Sequence, residues 1–167
     1  MGEKLTKSDV EKIQKEIEYR KLVVRRDAIE AVKEARAQGD LSENFEYYAA
    51  KKDKNQNESR IRYLERMLKN AQIVSDQSKD DEVGINNIVE LYMEDDDETE
   101  TYRLVTSIRG SSLNGLISID SPLGKAILRH KAGDRVYVKV NETIGYYVTI
   151  KSITNTQDDT DDKIRSF

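Results

Sequence analysis

Two carboxylates, Asp40 and Glu43, stand three residues apart in the stretch Gly39-Asp40-Leu41-Ser42-Glu43-Asn44-Phe45-Glu46-Tyr47. At the start of a helix this spacing lets both acids face one way. Such a pair holds Mg²⁺ only weakly, because Mg²⁺ keeps waters and takes its remaining ligands from phosphates. Apart from Glu46 one turn on, no further metal ligand clusters here. The pair therefore reads as half a site, useful beside other carboxylates and a phosphate chain, as in two-metal phosphoryl transfer. The same spacing is also a capping box, worth about 1 kcal/mol to a helix and implying no chemistry. Spacing alone leaves both open.

The flanking elements show where such a pair would be carried. From about Ser8 to Gln38 the chain is rich in Glu, Lys, Arg and Ala and contains neither Gly nor Pro. A second stretch free of breakers runs from about Glu43 to Gln72. Gly39 is the expected helix stop, and Asp40 and Ser42 are candidate caps for the second helix. Val10, Ile17, Val24 and Ala31 keep a seven-residue spacing, the seam of a coiled coil. Phe45, Ala49, Ile61, Leu64, Leu68 and Ala71 answer it, whereas Lys52–Arg60 is almost wholly polar and is the expected weak part of the pairing. The result is an antiparallel helical hairpin about 30 residues, or ~45 Å, long, with the acids at its far end.

After Val74 the pattern changes. Residues 75–82 are polar and read as a linker. Beyond them, β-branched and aromatic runs at Ile88–Met93, Tyr102–Ile108, Gly115–Ile119, Arg135–Val140 and Gly145–Ile153 predict a small antiparallel β-sheet. Glu94–Glu98 reads as an acidic hairpin loop, and Ser121-Pro122 opens one short helix with Pro at its first position. The predicted fold is α+β: a coiled-coil hairpin over residues 1–76, a sheet domain over 77–155 and a frayed acidic tail over 156–167.

Composition narrows the functions. There is no Cys and one His, His130, which excludes thiolate chemistry and His-based metal clusters. No apolar run approaches a membrane span and no signal-peptide core is present, so a cytoplasmic protein, and a monomer, is expected. Lys and Arg number 17 against 14 acids in residues 1–75, and 11 against 18 in residues 76–167. A mildly basic rod on an acidic body suits docking on a large partner better than generic DNA binding.

Ala35-Arg36, Gly39-Asp40-Leu41-Ser42-Glu43-Asn44, Glu46-Tyr47 and Ala49-Ala50-Lys51 together resemble the signature of bacterial Gre-type transcript cleavage and elongation factors. Arg60-Ile61, Leu64-Glu65 and Ala71-Gln72-Ile73-Val74 continue the likeness. Asn114-Gly115, Ile117-Ser118, Ser121-Pro122-Leu123-Gly124-Lys125-Ala126 and Gly133-Asp134 carry it into the second domain. The resemblance implies an N-terminal coiled coil that enters the secondary channel of RNA polymerase and an FKBP-like domain that docks at the channel's rim. It further implies that Asp40 and Glu43 help hold the polymerase's second Mg²⁺, with no cofactor of the factor's own. The polymerase then cleaves the 3′ end of backtracked RNA. Leu41, Ser42, Asn44, Glu46 and Tyr47 would support the tip. Arg36, Lys51 and Lys52 would contact the transcript, and Asp120, Ser121, Pro122 and Leu123 would dock on polymerase. Phe45 and Tyr48 depart from the family's usual residues and add bulk near the acids. Three other classes compete: a channel-binding inhibitor of the same fold, a peptidyl-prolyl isomerase and a plain coiled-coil adaptor. The intact acid pair argues against the first. The absence of Trp, with Phe167 the one Phe after residue 45, argues against an apolar isomerase pocket.

Overall fold

The computed structural model describes residues 2–39, 44–109, 115–156, 159 and 162–166. It divides into two compact units, one of residues 1–2 and 9–71 and one of residues 3–8 and 72–167. The acids Asp40 and Glu43, with Leu41 and Ser42, lie outside the described residues.

The first unit is the helical hairpin. Helix α1 (Lys7–Tyr19) runs through a π-helical segment at Arg20–Val24 into α2 (Arg25–Ala37), and α3 (Phe45–Lys69) returns. The π segment adds one residue to a turn, and its effect shows in what is buried. Val10 and Ile17 are half-buried before it, as the heptad predicts, with Ile13 buried between them. Beyond it Ala31 is exposed, and Ala28, Val32 and Ala35 turn inward instead. The seam has moved by one residue. On α3, Ile61, Leu64 and Met67 are buried, but Phe45 and Ala49 face solvent, Phe45 at 85% exposure.

The polar middle is filled rather than empty. Arg60 Nε and Nη2 donate to the two Glu16 oxygens at 2.8 and 3.2 Å, and Arg20 Nε donates to Glu16 at 2.7 Å. Asn57, itself buried, accepts from Arg20 Nη1 at 3.0 Å and donates to the Arg20 carbonyl at 3.3 Å. Arg25 forms a two-pronged pair with Glu58, both contacts 2.9 Å. Such geometry defines register, because each donor has one acceptor opposite.

The second unit is a five-stranded sheet in the order β5-β4-β3-β7-β6, from β3 (Ile88–Met93), β4 (Glu98–Val105), β5 (Leu116–Ser118), β6 (Arg135–Lys139) and β7 (Gly145–Thr154). Four of its strands are joined antiparallel, but β5 pairs parallel to β4, so the sheet is mixed rather than wholly antiparallel. Val89, Leu91, Leu104, Val136, Val138, Val148 and Ile150 alternate onto one face and form the core with Leu123 and Ile127 of α4 (Pro122–Ile127). The sequence did not signal the parallel pair of β1 (Lys4–Leu5) with β2 (Gln72–Ile73), which assigns residues 3–8 to this unit. Two-residue strands carry no periodicity to read.

Candidate functional site

The end of the hairpin is built around Asn44. Helix α2 ends at Ala37, and Gly39 follows at φ 148°, a conformation that only glycine adopts without strain. Helix α3 begins at Phe45, two residues later than the sequence suggested. Its N-cap is Asn44, whose Oδ1 accepts from the Tyr47 N–H at 3.0 Å. The capping role expected of Asp40 or Ser42 is thus held by another residue. The Asn44 amide also donates to the Ala35 carbonyl at 2.6 Å, tying the last turn of α2 to the first of α3. One side chain caps one helix and clamps it to the other, and the four residues carrying the acids join Gly39 to this clamp in the chain.

Basic side chains flank the clamp. Arg36 Nη2 donates to the Tyr47 hydroxyl at 3.3 Å, and its guanidinium lies 5.4 Å from the Tyr47 ring centre. That hydrogen bond, helped by the charges of Lys51 and Lys54, holds the Tyr47 phenol below its ordinary pKa. Lys51 and Lys52 are exposed on α3, as are Glu46 and Tyr48. Among the described residues no three His, Asp or Glu side chains gather as a metal site. A donor set of two carboxylates suits a Mg²⁺ shared with another carboxylate cluster rather than one resident here.

The expected docking residues lie on the other unit, at the entrance to α4. Ser121 caps the helix by accepting from the Gly124 N–H at 3.1 Å, and Pro122 occupies the first turn. A Cβ on Gly124 would lie 1.9 Å from the Ser118 carbonyl oxygen, so the motif needs glycine there. Pro122 is exposed, whereas Leu123 points into the core at 9% exposure and anchors the segment from beneath. Asp120 accepts from Ser107 Oγ at 2.6 Å and pairs with Lys4 Nζ at 3.4 Å. The Ser107 hydrogen bond and the Lys4 charge hold its carboxyl below the usual range against the opposing effect of burial. Lys4 and Ser107 were not identifiable as partners from sequence, since they lie more than 100 and 13 residues away, respectively, on separate strands or loops.

Residues 3–73 match the family described as "Transcription elongation factor, N-terminal", and residues 77–155 match "Transcription elongation factor, GreA/GreB, C-term". The chain is 44% identical over 137 residues to transcription elongation factor GreA of Thermoanaerobacter pseudethanolicus, covering 81% of this chain and 87% of that protein. It is 43% identical over 136 residues to the GreA of Geobacillus kaustophilus, with coverage of 81% and 86%. Among solved structures, the transcription factor Gfh1 aligns over 93% of this chain and 99% of its own at 26% identity, with a TM-score of 0.46. With both halves matched in order over most of its length, the chain belongs to the GreA/GreB family of transcription elongation factors.

Proposed function

We propose that this chain binds RNA polymerase in elongation complexes, docks through the Asp120–Pro122 surface and passes the end of its helical hairpin into the secondary channel. There Asp40 and Glu43 supply carboxylate oxygens to a Mg²⁺ shared with the polymerase, and the polymerase cleaves the 3′ end of backtracked RNA. The ion, when bound, stabilises charge on the reacting phosphate. Family membership makes the chain an accessory elongation factor and not an enzyme in its own right. The observation that carries the finer reading is the Asn44 clamp. It ties α2 to α3 at the residue that follows the two acids in the chain. With Asn44 as the cap, the acids are not needed to start α3. Arg36, Lys51 and Lys52 fit contact with the transcript's phosphates.

The test is a stalled, backtracked elongation complex with and without the protein. Shortened RNA lacking its 3′ end, and resumed elongation, are expected with wild type. Asp40→Asn and Glu43→Gln should bind the polymerase as well as wild type and lose the cleavage. Binding with slowed elongation and no cleavage by wild type would instead make the chain a channel-blocking inhibitor.

A further inference from the structure

Arg109 follows β4 by four residues, and its side chain is fully buried; Arg103, within β4, is 16% exposed. Two guanidinium groups so far from water require anions or acceptors beside them, because an uncompensated buried charge is costly. Part of the requirement is met locally. Asn86 Oδ1 accepts from Arg109 Nη1 at 2.9 Å and from Arg103 Nη2 at 3.4 Å, and Thr106 Oγ1 accepts from Arg109 Nε at 3.1 Å. Asn86 adopts a left-handed backbone, φ 74°, which Asn tolerates better than most residues.

The anions come from elsewhere. One carboxylate, Asp162, bridges both arginines, with Oδ1 2.6 Å from Arg103 Nη1 and Oδ2 2.8 Å from Arg109 Nη1. Asp159 places an oxygen 3.5 Å from the same Arg109 nitrogen. The Asp162 N–H donates to the Asp159 carbonyl at 3.0 Å, and both acids face Arg109. Farther on, the Arg165 N–H donates to the Ile108 carbonyl at 2.7 Å, and its guanidinium pairs with Glu3 at 3.5 Å. Arg103, Arg109, Asn86 and Thr106 all lie inside the family's C-terminal domain, which ends at residue 155. The two acids that face the arginines, Asp159 and Asp162, lie beyond it. The cradle belongs to the shared domain and the occupant is appended.

We infer that Arg103, Arg109 and Asn86 form a binding site for an acidic peptide with carboxylates three residues apart, and that the C-terminal segment is its tethered ligand. A tethered ligand reaches an effective concentration on the order of mM, enough to exclude a competing peptide at micromolar concentration. The inference stands independently of the proposed cleavage function.

A fluorescent synthetic peptide of residues 156–167 is the probe, titrated by anisotropy into the full-length chain. Wild type, its site filled, should bind it at least about ten-fold more weakly than the full-length Asp159→Asn/Asp162→Asn variant, given that effective concentration. Binding to the variant should saturate and weaken as salt is raised, since ion pairs carry it. A probe peptide with both acids replaced by Asn should not bind the variant, a control that alters no residue of the cradle. Equal binding of the probe by wild type and variant, no binding by either, or equal binding of the two peptides would overturn the inference.

Discussion

Asn44 uses both ends of its amide, and each end has a separate consequence. Asn44→Ala removes the cap from Tyr47 N–H and the brace to Ala35, and should destabilise the hairpin by about 1–2 kcal/mol. Asn44→Asp keeps the cap acceptor but turns the donor into a carboxylate facing the Ala35 carbonyl, so its urea midpoint should fall between those of wild type and Asn44→Ala. Asp40→Asn, by contrast, should leave the unfolding free energy unchanged within about 0.5 kcal/mol while transcript cleavage falls by orders of magnitude. A cleavage rate that tracked stability across these three variants would remove the metal role from Asp40. At this scale the sequence displays local patterns and hides what supports them. The acid pair and the Ser121-Pro122 cap stand out as local patterns. Asn44's second bond reaches nine residues back, to a carbonyl that any residue at position 35 would present.

In the middle of the helical hairpin, where the sequence predicts the weakest pairing, polar pairs bridge the two helices. Arg60 is 7% exposed and Glu16 24%, so breaking the pair strands a largely desolvated charge. Arg60→Met should cost about 2 kcal/mol, a value discounted for Glu16's partial exposure and its remaining bond to Arg20. Replacing Glu16 and Arg60 together by Leu and Met should recover most of that loss in thermal melts, as apolar packing substitutes for the pair. Burial alone would raise the Glu16 pKa, but the hydrogen bonds and charges of Arg60 and Arg20 outweigh it and leave it depressed. A depressed carboxyl contributes stability above its unfolded pKa of about 4.5. That contribution is lost as pH falls through the lower folded value. The melting temperature should therefore drop on acidification from pH 6 to pH 3, and Glu16→Gln should flatten part of that slope. The ladder was hard to read beforehand because Lys52–Arg60 is polar whether it meets water or partners. Only what the facing helix presents decides: Glu16 of α1, Arg20 in the π segment and Arg25 of α2.

For the molecule as a whole, the two units divide the proposed task, the basic hairpin carrying the acids and the acidic body carrying the docking surface. Asp120→Ala with Pro122→Ala should weaken polymerase binding several-fold, read by pull-down or competition, and leave the cleavage product unchanged. Hairpin variants should do the reverse. Equal polymerase binding by the Asp120/Pro122 double variant and wild type would move the docking surface elsewhere. The order of units and the strand set were legible in the periodicity, since strands of five or more residues alternate visibly between core and solvent. The parallel β5, the β1–β2 pair and the docking of Asp159 and Asp162 were not. They are long-range pairings of short or polar segments that leave no local trace.

The extra residue in the turn at Arg20–Val24 also fixes a bearing. One residue in an α-helix corresponds to about 100° around its axis, so everything on α2 beyond Val24, Arg36 included, points along a compass heading that a regular helix would not give it. Deleting Leu22, which is 62% exposed, would reset that heading at the cost of turning Ala28, Val32 and Ala35 out of the seam. Such a chain should still fold cooperatively and still bind polymerase, yet present the hairpin's working end rotated away from its target. Cleavage surviving at the wild-type rate would show that reach alone matters; its loss would show that the rod must also be turned correctly, as a key must be once it is in the lock.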